Sequence, residues 1–308
     1  MEESLKYYTL FFVDETHYTQ NRNGISGPLD RQIRTFVLCC RQLNAAIAHF
    51  DPEHELVVVT NNEEAIKSVA PELRTQVIPF ELSIPATVKA YSNHYKFELF
   101  KWLGTKADEY SIVLDADMTC INPMPVNLRL CLEKNIPIYY DISDQIYPAY
   151  GRERVITDKN KLSDIGSIGL WAGGEFIGGD GAFFAELYRR ITRINETYFK
   201  VFSEMRHQGN ETAIGVAIEE MLRSGTYICD AGKLGIIGRY WSAPPVHVQR
   251  SFAAYRDNFF LHLPFDKDIL SECHSPETFV RAYQRYLARK RNIVRRGFHR
   301  LKRIMMSR

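Results

Sequence analysis

Two aspartates, Asp115 and Asp117, directly follow the run Ser-Ile-Val-Leu at residues 111–114. An Asp-x-Asp pair after a buried strand places two hard oxygen ligands at the carboxyl edge of a sheet, where open α/β folds bind their ligands. Such a pair suits a divalent cation that bridges the phosphates of a nucleotide. The simpler alternative is that both carboxylates only cap a turn after a core strand.

The elements before this pair alternate between strand and helix patterns. The continuous apolar run at residues 56–59 is typical of a parallel strand buried on both faces. The β-α-β-α order predicts an α/β fold with a mixed, mostly parallel sheet flanked by helices and joined by right-handed crossovers. Strands are predicted at residues 7–13, 55–60, 75–80 and 111–114, and helices at residues 31–50, 63–69 and 91–103.

The second half of the chain is less regular. Residues 166–181 are rich in glycine, and no internal repeat or low-complexity linker divides the sequence. Further strands are predicted at residues 136–141 and 258–263, and helices at residues 182–193 and 211–224.

The Asp-x-Asp pair after the fourth strand resembles the DxD motif of GT-A glycosyltransferases. A second segment supports this resemblance, because His262 ends an apolar run and Lys267 follows five residues later. It resembles the His-x-x-Gly-x-x-Lys segment of glycogenin-like enzymes and bacterial lipopolysaccharide galactosyltransferases. The match is partial, since Pro264, Phe265 and Asp266 occupy the intervening space and the glycine is absent.

The resemblance implies a GT-A (Rossmann-like) fold and a metal-dependent glycosyltransferase, commonly a hexosyltransferase. The donor would be a nucleotide diphosphate sugar, most often a UDP-sugar, and the acceptor a surface glycan or a lipid-linked glycan. It also implies a catalytic domain over residues 1–270, with a nucleotide-binding half to about residue 120 and an acceptor half over residues 121–270. Residues 271–308 would form a basic helical tail.

The same resemblance implies a set of ligand-binding residues. Asp115, Asp117 and His262 would hold Mn²⁺ or Mg²⁺, and Lys267 would offset the charge of the diphosphate. Lys96 lies on a helix that resembles the one bearing a basic residue beneath the nucleotide. The loop after the first strand would bind the base or ribose. The implied donor-binding residues are Asp14, Thr16, Lys96, Asp115, Gly178, Gly179 and Lys267.

Two acidic residues are candidates for the catalytic group. Glycines such as Gly178 and Gly179 let a backbone approach a ligand closely, and the resemblance places Asp180 at the lip of the donor-sugar pocket. The alternative there is a glycine-rich hairpin without a ligand. Glu211 opens a helix, where the dipole alone explains an acidic residue, but the resemblance makes it face the anomeric carbon. In an inverting enzyme Glu211 would be the general base, with Asp180 as its rival. The sequence leaves retention or inversion open.

Composition narrows the class of protein. Hydrophobic residues make up 45% and charged residues 25% of the 308 residues, as in soluble globular proteins. No apolar run approaches the ~18 to 20 residues of a membrane span, and residues 7–13 are too short for a signal peptide. The six cysteines show no Cys-x-x-Cys pair. These features predict a cytoplasmic protein with reduced cysteines.

The last 28 residues differ in charge from the rest. Residues 281–308 contain eleven Lys and Arg and no acidic residue, whereas the other 280 residues have a net charge of −9. A basic amphipathic helix of this kind predicts peripheral association with an anionic membrane. The alternatives are packing of the apolar stripe on the rest of the protein, or a nucleic-acid-binding protein that uses this charge. The apolar stripe consists of Tyr283, Leu287, Val294, Phe298, Leu301 and Met305.

For the acidic pair, a sugar nucleotidyltransferase is a further alternative.

Overall fold

In a computed structural model of the chain, residues 4–14, 27–85, 87–88, 91–242 and 249–290 are described. The strands are β1 (Ser4–Phe11), β2 (Glu55–Thr60), β3 (Arg74–Val77), β4 (Glu109–Leu114), β5 (Met118–Cys120), β6 (Ile138–Asp141), β7 (Ala172–Gly179), β8 (Cys229–Asp230), β9 (Ile237–Arg239) and β10 (Phe260–His262). The helices are α1 (Leu29–Phe50), α2 (Glu63–Lys67), α3 (Lys96–Leu103), α4 (Val126–Glu133), α5 (Ser143–Tyr150), α6 (Arg152–Asn160), α7 (Gly181–Val201), α8 (Glu211–Arg223) and α9 (Lys267–Ser271). Residues 276–290 form a further helix, α10.

The main sheet has seven strands in the order β3-β2-β1-β4-β7-β6-β8. The first four strands in this order are parallel to one another. Strand β7 is antiparallel to both β4 and β6, and β8 is parallel to β6. This arrangement confirms the predicted mixed, mostly parallel α/β sheet flanked by helices.

Alternating side chains of the central strands pack into two separate layers. Val113 of β4 lies in the same apolar cluster as α3, α7 and α8. Its neighbours Ile112 and Leu114 lie in the cluster that includes α1 and α4. Because successive strand residues point to opposite faces, a sheet covered on both sides needs continuous apolar runs. The sequence supplies such runs in β2 and β4.

A small second sheet connects the acidic pair to the C-terminal part of the fold. Its order is β5-β10-β9, with β10 antiparallel to β5 and parallel to β9. Strand β5 begins at Met118, directly after the Asp-x-Asp pair. The backbone N–H of Leu263 donates to the carbonyl of Asp117 over 2.9 Å. The end of β10 is therefore fixed beside the end of β4.

Several elements differ in extent from their predictions. Strand β3 ends at Val77, and residues Tyr91–Tyr95 form a 3₁₀ turn before α3 begins. Helix α7 extends to Val201. The glycine-rich segment is a central strand, β7, rather than a hairpin. A Cβ at Gly178 would lie 2.9 Å from Cγ1 of Ile112, so packing within the sheet explains that glycine.

Helix α10 packs on the rest of the fold. Phe279, Tyr283 and Leu287 are buried in one cluster with residues of α1 and α9. Tyr283 and Leu287 are the two residues of the apolar stripe that the structure describes. Both follow the alternative in which the stripe packs on the rest of the protein. Val294, Phe298, Leu301 and Met305 lie outside the described residues. The domain division at residue 270 stays a prediction. Among the described residues, every helix is too short or too polar to cross a membrane.

Candidate active site

The Asp-x-Asp pair forms the turn between β4 and β5. The backbone N–H of Asp115 donates to the carbonyl of Glu175 over 3.1 Å, which ties the turn to β7. Asp117 is buried, while the Asp115 side chain is one-third exposed at 33%. The local strand-turn-strand geometry thus directs both carboxylates toward one edge of the main sheet.

Two lysines contact this pair from opposite sides. Lys96, at the start of α3, donates to Asp115 and, over 2.8 Å, to the carbonyl of Gly174. Lys267, at the start of α9, donates to Oδ2 of Asp117 over 2.5 Å and to the carbonyl of Pro264 over 2.9 Å. Burial alone would raise the pKa of Asp117, but Lys267 and His262 outweigh it and hold that pKa well below its usual value.

His262, the last residue of β10, lies between two carboxylates. Its Nε2 lies 3.1 Å from Oδ1 of Asp117, and its Nδ1 lies 3.2 Å from Oε1 of Glu175, so each ring nitrogen is within hydrogen-bond distance of a carboxylate. Burial opposes a charged imidazole, but Asp117 and Glu175 together raise the pKa of His262 to about 9. This raised pKa favours an imidazolium, whose charge offsets that of Asp117 and Glu175.

The group has the donor atoms of a divalent-cation site. One ligand atom each from Asp115, Asp117 and His262 lies within 4.8 Å of the other two. Carboxylate oxygens are the ligands that Mg²⁺ and Mn²⁺ prefer, and imidazole is accepted by the softer Mn²⁺. A bound metal ion would require the ligating nitrogen of His262 to be unprotonated and the two carboxylates to be ionised. The residues present fit such an ion.

Glu211, the first residue of α8, is held at the same edge. The indole Nε1 of Trp171 donates to Oε2 of Glu211 over 3.0 Å, and Nε2 of His207 lies 3.5 Å from the same oxygen. Burial lowers the pKa of His207, although Glu211 opposes this shift. The Glu211 side chain also lies close to the backbone of Gly174. A Cβ at Gly174 would be 3.3 Å from Cγ of Glu211, so the glycine leaves room for this side chain.

A cleft of about 340 Å³ joins these groups. Its lining includes Leu10 at the end of β1, Phe12 directly after that strand, and Ser92 and Asn93 of the 3₁₀ turn. The site residues that line the cleft are Lys96, Asp115, Asp117, Glu211, Arg239, Trp241, His262 and Lys267. The structure thus brings six residues singled out from the sequence into one cavity.

Three other predicted residues are placed differently. Gly178, Gly179 and Asp180 lie at the opposite end of β7, since Ser111 near the start of β4 pairs with Gly179. There Asp180 caps α7 by accepting from the N–H of Phe183 over 2.7 Å, and it also accepts from Nδ2 of Asn135 over 2.7 Å. This corrects the expected position of these three residues at the donor pocket.

Asp14 is the last described residue before a gap. It accepts a hydrogen bond from the hydroxyl of Tyr91, which precedes the cleft-lining residues Ser92 and Asn93. Asp14 is near the cleft but does not line it. Thr16 lies outside the described residues. A role of both residues in binding the base or ribose stays a prediction.

Two charged residues of the site were missed in the sequence. Glu175 is buried in the first half of β7, where a carboxylate between glycines and apolar residues is the signal that could have revealed it. Arg239 ends the three-residue strand β9, and its only signal is a basic residue in a short apolar run. Oε1 of Glu175 lies 3.5 Å from Nη1 of Arg239. Burial would raise the pKa of Glu175, but Arg239 and His262 lower it to about 2.

The sheet order and the acidic turn at its edge define a protein of the GT-A fold. A crystal structure of the galactosyltransferase LgtC with donor and acceptor sugar analogues aligns with a TM-score of 0.51 at 12% sequence identity, covering 87% of this chain and 94% of that chain. A crystal structure of an active-site mutant of LgtC gives the same values. These likenesses confirm the fold expected from the sequence. No protein-family model and no curated protein matches the chain.

Proposed function

We propose that this protein is a metal-dependent glycosyltransferase that moves a sugar from a nucleotide diphosphate donor to a glycan acceptor. The observation that carries this proposal is the convergence of Asp115, Asp117 and His262 at the carboxyl end of β4. In a GT-A fold this edge is where a nucleotide would lie. The cleft beside these three residues is also lined by two lysines, as an anionic ligand requires.

The cations of the cleft suit a diphosphate leaving group. A divalent ion held by Asp115, Asp117 and His262 would supply a positive charge that stabilises the diphosphate as the glycosidic bond to it breaks. Lys96 and Lys267 pair with the two aspartates and also line the cleft, so a bound diphosphate would meet two cations besides the metal ion. The donor is proposed to be a UDP-sugar, commonly of a hexose, with Mn²⁺ or Mg²⁺.

Glu211 is the proposed catalytic carboxylate. It lines the cleft and is fixed by the indole N–H of Trp171. In an inverting reaction it would accept the proton of the acceptor hydroxyl as that oxygen attacks the anomeric carbon. In a retaining reaction it would instead stabilise positive charge on the sugar. Its rival from the sequence, Asp180, serves α7 as its N-cap at the other sheet edge.

The proposed acceptor is a surface glycan or a lipid-linked glycan. The neighbouring LgtC structure holds both donor and acceptor sugar analogues, which supports a cleft for two sugars in this fold. The exposed arginines of α10, Arg281, Arg285 and Arg289, continue into a basic C-terminal sequence. This charge supports contact with an anionic membrane, where a lipid-linked acceptor would lie.

Calorimetric titration of UDP, with and without Mn²⁺, tests the proposal. We expect metal-dependent binding that Asp117→Asn abolishes while the variant still unfolds cooperatively. Asp108→Asn, at an exposed position outside the cleft, is the matched control and should bind normally. Binding of UDP that is equal with and without metal would overturn the metal assignment.

Product analysis separates the proposal from its alternatives. A glycosyltransferase supplied with a UDP-sugar and an acceptor releases UDP, whereas a sugar nucleotidyltransferase releases pyrophosphate when it is supplied with UTP and a sugar 1-phosphate. If no nucleotide binds in the presence of Mn²⁺ or Mg²⁺, the proposal fails. Salt-sensitive binding of DNA or RNA without metal dependence would then favour the nucleic-acid alternative.

A further inference from the structure

Arg239 is a buried cation in the lining of the cleft, and it is not part of the proposed metal site. It ends β9, where it pairs in register with His262 of β10. Its residue surface is only 8% exposed, yet it lines the cleft together with Glu211 and Trp241. A guanidinium is rarely buried to this extent unless its charge and its donors are both satisfied.

The partners of Arg239 satisfy its charge but not its donors. Oε1 of Glu175 lies 3.5 Å from Nη1, which is an ion pair rather than a well-formed hydrogen bond. Among the described residues, Nε and Nη1 have no hydrogen-bond acceptor, although both atoms are buried. An arginine carries five N–H donors in a fixed planar fork. Two of its nitrogens therefore have donors without an acceptor among the residues that the structure describes.

The surroundings hold this guanidinium in place. Its central carbon lies 5.0 Å from the ring centroid of Trp241, a distance at which a cation is attracted to an indole face. Oε1 of Glu175, on β7 of the main sheet, contacts both Nδ1 of His262 and Nη1 of Arg239. The indole and the buried ion pair limit the freedom of the side chain, so a ligand in the cleft would meet a pre-oriented fork.

We propose that Arg239 binds an oxyanion of the substrate, either a carboxylate or a phosphate, in the part of the cleft between Glu211 and Trp241. The inference deepens the proposed function and rests on it. A planar guanidinium matches the two oxygens of a carboxylate or phosphate, which a lysine ammonium cannot do in the same way. Lys96 and Lys267 form ion pairs with Asp115 and Asp117. Arg239 instead pairs with Glu175, so it adds a separate point of substrate recognition.

Two sources can present this oxyanion to Arg239. One is the diphosphate of the donor, and the other is a carboxylate on an acidic donor sugar such as a hexuronate. Calorimetry with UDP, UDP-glucose and UDP-glucuronate in saturating Mn²⁺ separates them for Arg239→Gln. A rise in Kd for all three ligands, by about 10-fold to 100-fold, assigns the diphosphate. A rise for UDP-glucuronate alone assigns the sugar carboxylate, and either result supports the proposal.

Two variants guard against a loss of structure. Arg239→Lys retains the charge without the fork and should recover only part of the affinity. The double variant Glu175→Gln/Arg239→Gln removes both members of the buried ion pair, so neither charge is left without the other. Compared with Glu175→Gln alone, it should lose affinity for the same ligands as Arg239→Gln does. Thermal melting without ligand checks that each variant is folded.

Arg190→Gln is the matched control. Nη1 of Arg190 likewise lies 3.5 Å from a buried carboxylate, that of Glu220, but far from the cleft on α7 and α8. It should leave all three affinities unchanged. If folded Arg239→Gln binds every ligand like the wild type, the inference is overturned and the proposed function stands. If the wild type binds no nucleotide with metal, both are overturned.

Discussion

Tyr283 of α10 donates a 2.6 Å hydrogen bond to Oδ2 of Asp266, a fully buried carboxylate next to Lys267. The same carboxylate accepts from Tyr286 over 3.0 Å and from Lys290 over 2.7 Å. Helix α10 is thereby attached to the segment that carries a cation of the cleft. The first part of the basic tail is a structural support of the site.

Removing the Tyr283 hydroxyl should destabilise the fold. Tyr283→Phe leaves one oxygen of a buried carboxylate without this donor, so we expect the free energy of unfolding to fall by about 1–3 kcal/mol. Urea denaturation followed by circular dichroism measures this loss. Tyr286→Phe serves as a graded comparison, because Tyr286 is only partly buried and should lose less. Equal stability of all three proteins would contradict the structural role of this hydrogen bond.

Truncation at two points separates the packed part of the tail from the rest. A chain that ends at residue 290 keeps α10 but lacks seven of the eleven basic residues of the tail. It should fold and bind UDP with Mn²⁺, but sediment with phosphatidylglycerol vesicles much less than the full chain. A chain that ends at residue 275 loses Phe279, Tyr283 and Leu287 from the core and should lose cooperative unfolding. Unchanged vesicle binding by the first truncation would contradict membrane contact through residues 291–308.

Trp171 should act on catalysis through Glu211. Trp171→Phe keeps the aromatic packing but removes the N–H that fixes Oε2 of Glu211. We expect kcat for sugar transfer to fall about tenfold, as for a displaced general base, with little change in the Kd of UDP. Trp102→Phe, on α3 against Tyr8, is the control and should keep its kcat. A loss of UDP affinity equal to the loss in kcat would contradict a positioning role.

A buried lysine outside the cleft gives the protein a pH-dependent stability. Burial lowers the pKa of Lys159 from 10.5 to about 8, although Glu219 and Asp141 oppose this shift. Between these values the unfolded chain holds more protons on this group than the folded chain, so its contribution to stability increases as the pH rises. In Lys159→Met this contribution is absent.

Urea denaturation of the wild type and Lys159→Met at pH 7.5 and 9.5 tests this sign. We expect the free energy of unfolding of the wild type, relative to the variant, to increase by about 2 kcal/mol over this range. Taking the difference between the two proteins cancels the other groups that titrate. A constant difference, or one that shrinks as the pH rises, would show that Lys159 is not destabilised in its charged form.

Local sequence patterns predicted much of the first half of the fold. The continuous apolar runs of β2 and β4 require helices on both faces, so the α/β class follows from them. Asp115 and Asp117 are adjacent to their strand, and their place at its carboxyl end needs no distant contact. His262 and Lys267 were predicted because an apolar run ends at His262 and because the two residues together resemble a His-x-x-Gly-x-x-Lys segment.

The direction of β7 was decided only by the tertiary structure. Gly178 and Gly179 end this strand and Asp180 follows it, and in a parallel strand these residues would lie beside the acidic pair. Because β7 runs antiparallel to β4, its other end meets the pair and brings Glu175 to His262. Alternating burial is the same in parallel and antiparallel strands, so the sequence pattern carries no sign of direction.

The sequence by itself thus determined the α/β class, the acidic turn and the residues next to their own strands. Only the tertiary structure decided which distant side chains complete the cleft, among them Glu175, Arg239 and the Tyr283–Asp266 contact. The physical reason is that backbone preference and hydrophobic period act over a few residues, whereas charge pairing in a buried site depends on strand order. That order is set by the packing of the whole core.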